Sequence, residues 1–172
     1  MNELIKKIEQ WSIERDLHNA NPMKQYDKLV EEYGELVKGL NKQDEQLIKD
    51  SIGDMFVVIT IMTQQIKGNM NHVMDYKHID ENEELGKQST LRFMGTLTYS
   101  GVGLTELLSN ADDYRIRKSL VDAGLANLVY LLDETAKAHG TDLKSCVQLA
   151  YDEIKDRKGE MRDGKFVKQE DL

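Results

Sequence analysis

Between Lys49 and Gln65 the chain reads KDSIGDMFVVITIMTQQ, and this segment restricts the possible fold more than any other. Helical positions step by roughly 100°, so residues three or four apart share a face. Leu47, Asp50, Asp54, Val57, Val58 and Ile61 fall on one side, while Ile52, Phe56 and Ile59 make the other side apolar too. A helix that is apolar on both sides belongs at the centre of a bundle. Two aspartates nevertheless interrupt its packing face. Like charges at i,i+4 repel, and carboxylates in a helix interface lose solvation.

The rest of the chain supplies helices to surround it. Hydrophobic periodicity predicts helices over about 3–17, 24–40, 44–67, 89–109, 114–139 and 141–158. The first should turn Leu4, Ile8, Trp11 and Ile13 inward. HNANPM makes a turn before the second helix, Asn41 ends that helix, and Gly68 closes the third. NADD at 110–113 reads as a turn, Gly140 stops the fifth segment, and Thr141 caps the last, which Gly159 ends. Residues 69–88 lack periodicity and read as a linker or insertion with one irregular helical turn, and 159–172 as an extended tail. The 172 residues form a single all-α, four-helix-bundle-like domain on this reading. A faint repeat relates 50–68 to 122–140, at an offset of 72 residues. It sets Asp54 against Ala126, so the first half would be the working one.

Charge and cysteine content exclude other classes. The formal net charge is −8, which gives no basic field to attract a nucleic-acid polymer. A small phosphate ligand is compatible with that charge if a cation stands between. The single Cys146 rules out an intrachain disulfide and suits a reducing cytoplasm. MNELIKKIEQW is charged from its third residue, unlike a signal peptide. The longest apolar run, MFVVITIM, is far short of the roughly 20 residues that cross a bilayer, so no membrane partner is expected.

Helix two completes an acidic constellation. Leu29, Val30, Tyr33, Leu36, Val37 and Leu40 form its apolar stripe. Glu32 and Glu35 edge that stripe, with Lys28 and Gln25 continuing the edge and Glu31 further round. Two physical accounts can rescue such carboxylates. A salt-bridge network could use Lys24, Lys28 or Lys49. Alternatively, Glu32 and Glu35 face Asp50 and Asp54 across an antiparallel pair and hold a hard divalent cation through oxygen ligands. Zinc lacks a Cys/His set, and the four histidines supply no Glu-x-x-His pair for di-iron.

Three strings carry a family likeness: WSIERDLHNANPMKQYDKLVEEYGEL, KDSIGDMFVVI and LAYDEIKDRKGEM. Together they resemble the MazG-like nucleotide pyrophosphohydrolases. These belong to the all-α NTP pyrophosphatase superfamily, which includes dimeric dUTPases; the likeness is to phage and Gram-positive forms. Residues 1–66 carry the most specific part and 149–166 extend it, while 69–112 match nothing in the family. The family motif is Glu-x-x-Glu followed by a second acidic pair, usually Glu-x-x-Asp. Glu32 and Glu35 match the first pair and Asp54 the final aspartate. Ser51 stands where a glutamate is usual, and Asp50, one residue earlier, is the available substitute.

That resemblance implies cleavage of the α–β phosphoanhydride of a nucleoside triphosphate, with water attacking the α-phosphorus. Mg²⁺, with Mn²⁺ as a substitute, would be held by Glu32, Glu35, Asp54 and Asp50. Glu31 or Glu35 would act as base. Lys28, Gln25, Trp11, Lys155, Arg157 and Lys158 are the expected substrate contacts. Each also has an ordinary role: pairing with Glu32 for Lys28, core packing for Trp11, complementing a helix dipole for the three C-terminal cations. The resemblance further implies a homodimer or homotetramer in the cytoplasm, the host's if the chain is phage-encoded. Two other readings compete: a nucleotide-binding regulator with weak turnover, and a helical module docking a basic partner.

Overall fold

The computed structural model describes residues 1–75, 89–109, 114–162 and 165–169. Among the described residues the chain is all-α apart from one small hairpin. In order it forms α1 (Asn2–Glu14), a 3₁₀ turn (Leu17–Asn19), α2 (Pro22–Lys42), α3 (Glu45–Gln65), α4 (Met70–Asp75), α5 (Ser89–Ser109), α6 (Tyr114–Ala138) and α7 (Leu143–Ile154). Strands β1 (Gly159–Arg162) and β2 (Lys165–Lys168) then pair antiparallel. Among the described residues no helix is long and apolar enough to cross a membrane.

The apolar third helix is the axis of the molecule. Every residue from Met55 to Thr63 is buried, and α1, α2, α6 and α7 all pack on α3. Its buried hydroxyls close on their own backbone: Thr60 donates to the Phe56 carbonyl at 2.9 Å and Thr63 to that of Ile59 at 2.8 Å. Helix α5 pairs with α6 as α2 pairs with α3. Tyr26 ties the two hairpins by donating to the Leu97 carbonyl at 2.6 Å. Helix α7 approaches α3 closely at Gly53, where a Cβ would lie 2.3 Å from the Cys146 carbonyl oxygen.

Local chemistry sets the helix ends. Asn21 accepts from the Met23 N–H, with Pro22 in the first turn, and Asp44 caps α3 through the Leu47 N–H at 3.1 Å. Gly140, at φ 67°, stops α6 as expected.

Several expected boundaries move. Gln43 rather than Asn41 ends α2, at φ 55°. The α7 cap is Asp142, not Thr141, because its carboxylate takes the Ser145 N–H at 3.0 Å. That helix ends at Ile154, four residues before Lys158. Part of 69–88 forms α4, and 76–88 lie outside the described residues, as does the NADD turn. The extended tail pairs with itself as a hairpin. Ile13 is 47% exposed, since nine steps of roughly 100° from Leu4 carry it to the opposite side of α1.

Candidate functional site

The buried face of α2 is rotated from the stripe its apolar residues suggested. Leu29, Glu32, Tyr33, Leu36 and Gly39 are buried, whereas Val30 is exposed. The rotation takes Glu32 inward until it is 5% exposed. It also opens a cleft of about 570 Å³ between α2, α3, α7 and the hairpin. Lys24, Gln25, Asp27, Lys28, Glu31, Glu32 and Glu35 line it from α2, and Asp54, Val57, Val58 and Ile61 from α3. Trp11, Leu17, Ile154, Arg157, Phe166 and Val167 complete the walls.

The charges inside are unevenly matched. Lys28 Nζ lies 2.6 Å from Glu32 and 3.3 Å from Glu31. Desolvation opposes the Lys28 charge, but its hydrogen bonds to Glu32 and Glu31 and their negative charges raise its pKa on balance. Asp54 has neither hydrogen bond nor ion pair among the described residues. Burial first, then the charges of Glu32 and Glu153, push its pKa from 3.8 to about 7, with Arg157 and Lys28 opposing. Glu35 is exposed along the cleft and also unpaired among the described residues. Thus the salt-bridge account holds for Glu32 and Glu31, which share Lys28, and not for Asp54 or Glu35 among the described residues.

No three acidic, histidine or cysteine side chains among the described residues stand close enough to form a ready-made ion cage. The donor set nevertheless fits a hard divalent cation. Its donors are all oxygen, two of the carboxylates destabilise each other in a desolvated setting, and a single lysine serves the buried one.

Other expected site residues fall elsewhere. Asp50 does not line the cleft; it lies one turn nearer the α2–α3 connection and accepts from Gln46 Nε2 at 2.8 Å. Ser51 is buried, and its hydroxyl donates to the Leu47 carbonyl at 2.7 Å. Lys155 pairs with Asp152 at 2.7 Å in solvent, and Lys158 is exposed beyond the end of α7. Neither lines the cleft, so of the three C-terminal cations Arg157 alone does so. All three follow Ile154, the last residue of α7, so no shared helical face holds them together.

Trp11 behaves chiefly as core. It is 7% exposed, and its indole N–H donates to the Ile154 carbonyl at 2.7 Å. Arg15 lies 4.5 Å over its ring and donates to the Arg157 carbonyl at 2.7 Å. Phe166 meets the ring edge-on at 5.8 Å. Arg15, Phe166 and Val167 were not anticipated. For the tail a signal was present: Asp163-Gly164 between MR and KFV is a hairpin sequence.

A second, smaller cleft of about 370 Å³ lies on α6. It is lined by Ala126, Val129, Tyr130 and Asp133, each 72 residues beyond the α3 residues Asp54, Val57, Val58 and Ile61 that line the first. At these matched positions Asp54 of the first cleft corresponds to Ala126 in the second, and Ile61 to Asp133.

No family model matches the chain, and no solved structure matches it. It is 47% identical over 74 residues to an uncharacterised 18.2 kDa protein from the rep–hol intergenic region of Haemophilus phage HP1. That likeness spans 42% of each chain.

Proposed function

We propose that the cleft hydrolyses a nucleoside triphosphate, ribo or deoxy, to the monophosphate and pyrophosphate with Mg²⁺, or Mn²⁺ in its place. The observation that carries this is Asp54, an unpaired carboxylate half-buried beside Glu32 in a cleft that also presents Lys28 and Arg157. Negative charge left uncompensated in a desolvated groove favours cation capture, and two basic residues nearby suit a phosphate chain. The sequence resemblance to MazG-like pyrophosphohydrolases of the all-α NTP pyrophosphatase type supports the same chemistry.

On this reading Glu32, Glu35 and Asp54 would hold the ion. When bound, it neutralises phosphate charge and makes water more acidic. Lys28 and Arg157 contribute positive charge towards the phosphate oxygens. Glu35 is the favoured base, since Glu31 is occupied by Lys28 at 3.3 Å and Glu35 is unpaired among the described residues. Glu35 takes a proton from water as its oxygen bonds to the α-phosphorus. The α–β bridging bond then breaks, and pyrophosphate leaves with the electron pair. The same reading has the chain working as a homodimer or homotetramer in the cytoplasm.

The test is pyrophosphate release from a panel of canonical and modified nucleoside triphosphates with Mg²⁺, after circular dichroism shows the protein folded. Turnover of at least one, with Glu35→Gln reduced about a hundredfold or more, is expected. No turnover of any would end the proposal.

A second reading, nucleotide binding with weak turnover, draws on Ser51, whose buried hydroxyl leaves the usual fourth carboxylate absent from that position. It requires Mg²⁺-dependent nucleotide binding without product.

A further inference from the structure

The cleft changes character along its length. Helices α2 and α3 are antiparallel about the turn at Gln43–Asp44. Glu35, Glu32 and Asp54 lie towards that turn, whereas Gln25 and Ile61 lie away from it. Asp54 and Ile61 are separated by roughly 10 Å of helix, at about 1.5 Å per residue. The far end is walled by Leu17, whose carbonyl accepts from Gln65 at 2.8 Å, and by Trp11, with Phe166 against it. One end therefore suits phosphates, and the other offers apolar and aromatic surface.

From this division we infer that the C-terminal hairpin forms a nucleobase seat, with Phe166 as the stacking surface and the Gln25 amide reading the base edge. The inference rests on the cleft being a nucleotide site and adds where the base lies and which residues select it. Trp11 does not offer the same surface. Arg15 lies 4.5 Å over its ring, closer than the 5.8 Å at which the same guanidinium stands over Phe166, and the indole N–H is spent on Ile154. Phe166 is less buried than Trp11 and lines the cleft, with Trp11 edge-on to it and Arg15 5.8 Å from its ring centroid. Gln25 is half-buried, and its amide has no hydrogen bond among the described residues. An aromatic platform and an unengaged amide lining one cleft are the combination that binds a base by stacking and edge recognition. Phe166 and Gln25 belong to opposite ends of the chain, so this seat exists only once the hairpin has docked.

The chain has one tryptophan, Trp11, in the wall of this cleft. Its fluorescence, checked by calorimetry, reports binding without requiring turnover. Nucleoside 5′-monophosphates are titrated against ribose 5-phosphate into the wild type, Phe166→Ala, Phe166→Leu and Phe166→Tyr. At least one monophosphate is expected to bind the wild type about tenfold more tightly than ribose 5-phosphate. Phe166→Ala and Phe166→Leu should abolish that preference while leaving ribose 5-phosphate unchanged, and Phe166→Tyr should retain it. Should the alanine variant fail to fold by circular dichroism, the leucine variant and the wild-type comparison decide. Equal binding of the two ligand types, no monophosphate binding at millimolar concentration, or a base preference that survives loss of the ring would each overturn the inference. Failure of the hydrolase reading shows separately, as an absence of pyrophosphate release.

Discussion

Asp54→Asn should make the protein more stable and inactive at once. In the folded chain Asp54 keeps its proton up to about pH 7, against an ordinary value of 3.8. Between those values the folded state holds a proton that the unfolded chain has released. Stability therefore falls as pH rises through this window and stays lowered above it. Each pH unit of separation is worth about 1.4 kcal/mol, so the full penalty at pH 8 has a ceiling of about 4 kcal/mol. Asparagine keeps the shape and removes the charge.

In a domain of this length that corresponds to a gain of roughly 8–16 °C in Tm at pH 8. At pH 5 the difference should shrink to under about 2 kcal/mol, because wild-type Asp54 is already neutral when folded. Thermal melts by circular dichroism from pH 5 to 9, in EDTA, give the comparison, and subtracting the two curves cancels the other titrating groups. Mg²⁺ at a hundred times its Kd should then raise wild-type stability by about 2.7 kcal/mol and leave the variant unmoved. An Asp54→Asn protein that melts at or below the wild type at pH 8 in EDTA would refute the claim that this carboxylate is stored at a cost.

Three further outcomes follow from the same geometry. Lys28→Met should lose about 1–3 kcal/mol in urea denaturation by stranding the buried Glu32, and adding Glu32→Gln should recover most of it. Arg157→Gln removes a cation that lowers the Asp54 pKa, so the midpoint of the pH-dependent stability loss should move upward and the nucleotide KM should rise. Gly53→Ala drives a methyl group into the Cys146 carbonyl and should lower stability by about 1–3 kcal/mol, measured by thermal melting, displacing α7 from the cleft.

Local rules account for much of the fold. The run from Met55 to Thr63 is apolar in every direction around a helix, so its burial was legible before any neighbour was known. Asn21-Pro22, Gly140 and the acidic edge of α2 were equally plain, because capping, left-handed turns and face-sharing depend on residues within one or two turns. Small errors arose where two nearby residues could serve, as with Thr141 and Asp142 at the start of α7. The hairpin was missed because two four-residue strands carry little periodicity.

By itself the sequence determined an all-helical chain with one central apolar helix and carboxylates set against its packing face. Tertiary structure alone decided which of them share a cleft. Helix α2 turned far enough to bury Glu32 and leave Val30 outside, a rotation fixed by packing against α3 and α5. It left Asp50 outside the cleft, occupied by Gln46, and Asp54 facing it without a partner among the described residues. It also brought Phe166 from the far end of the chain onto Trp11. Spacing along a helix fixes a residue's direction, but burial and the charges it meets come from distant segments. The pKa of Asp54 depends on both.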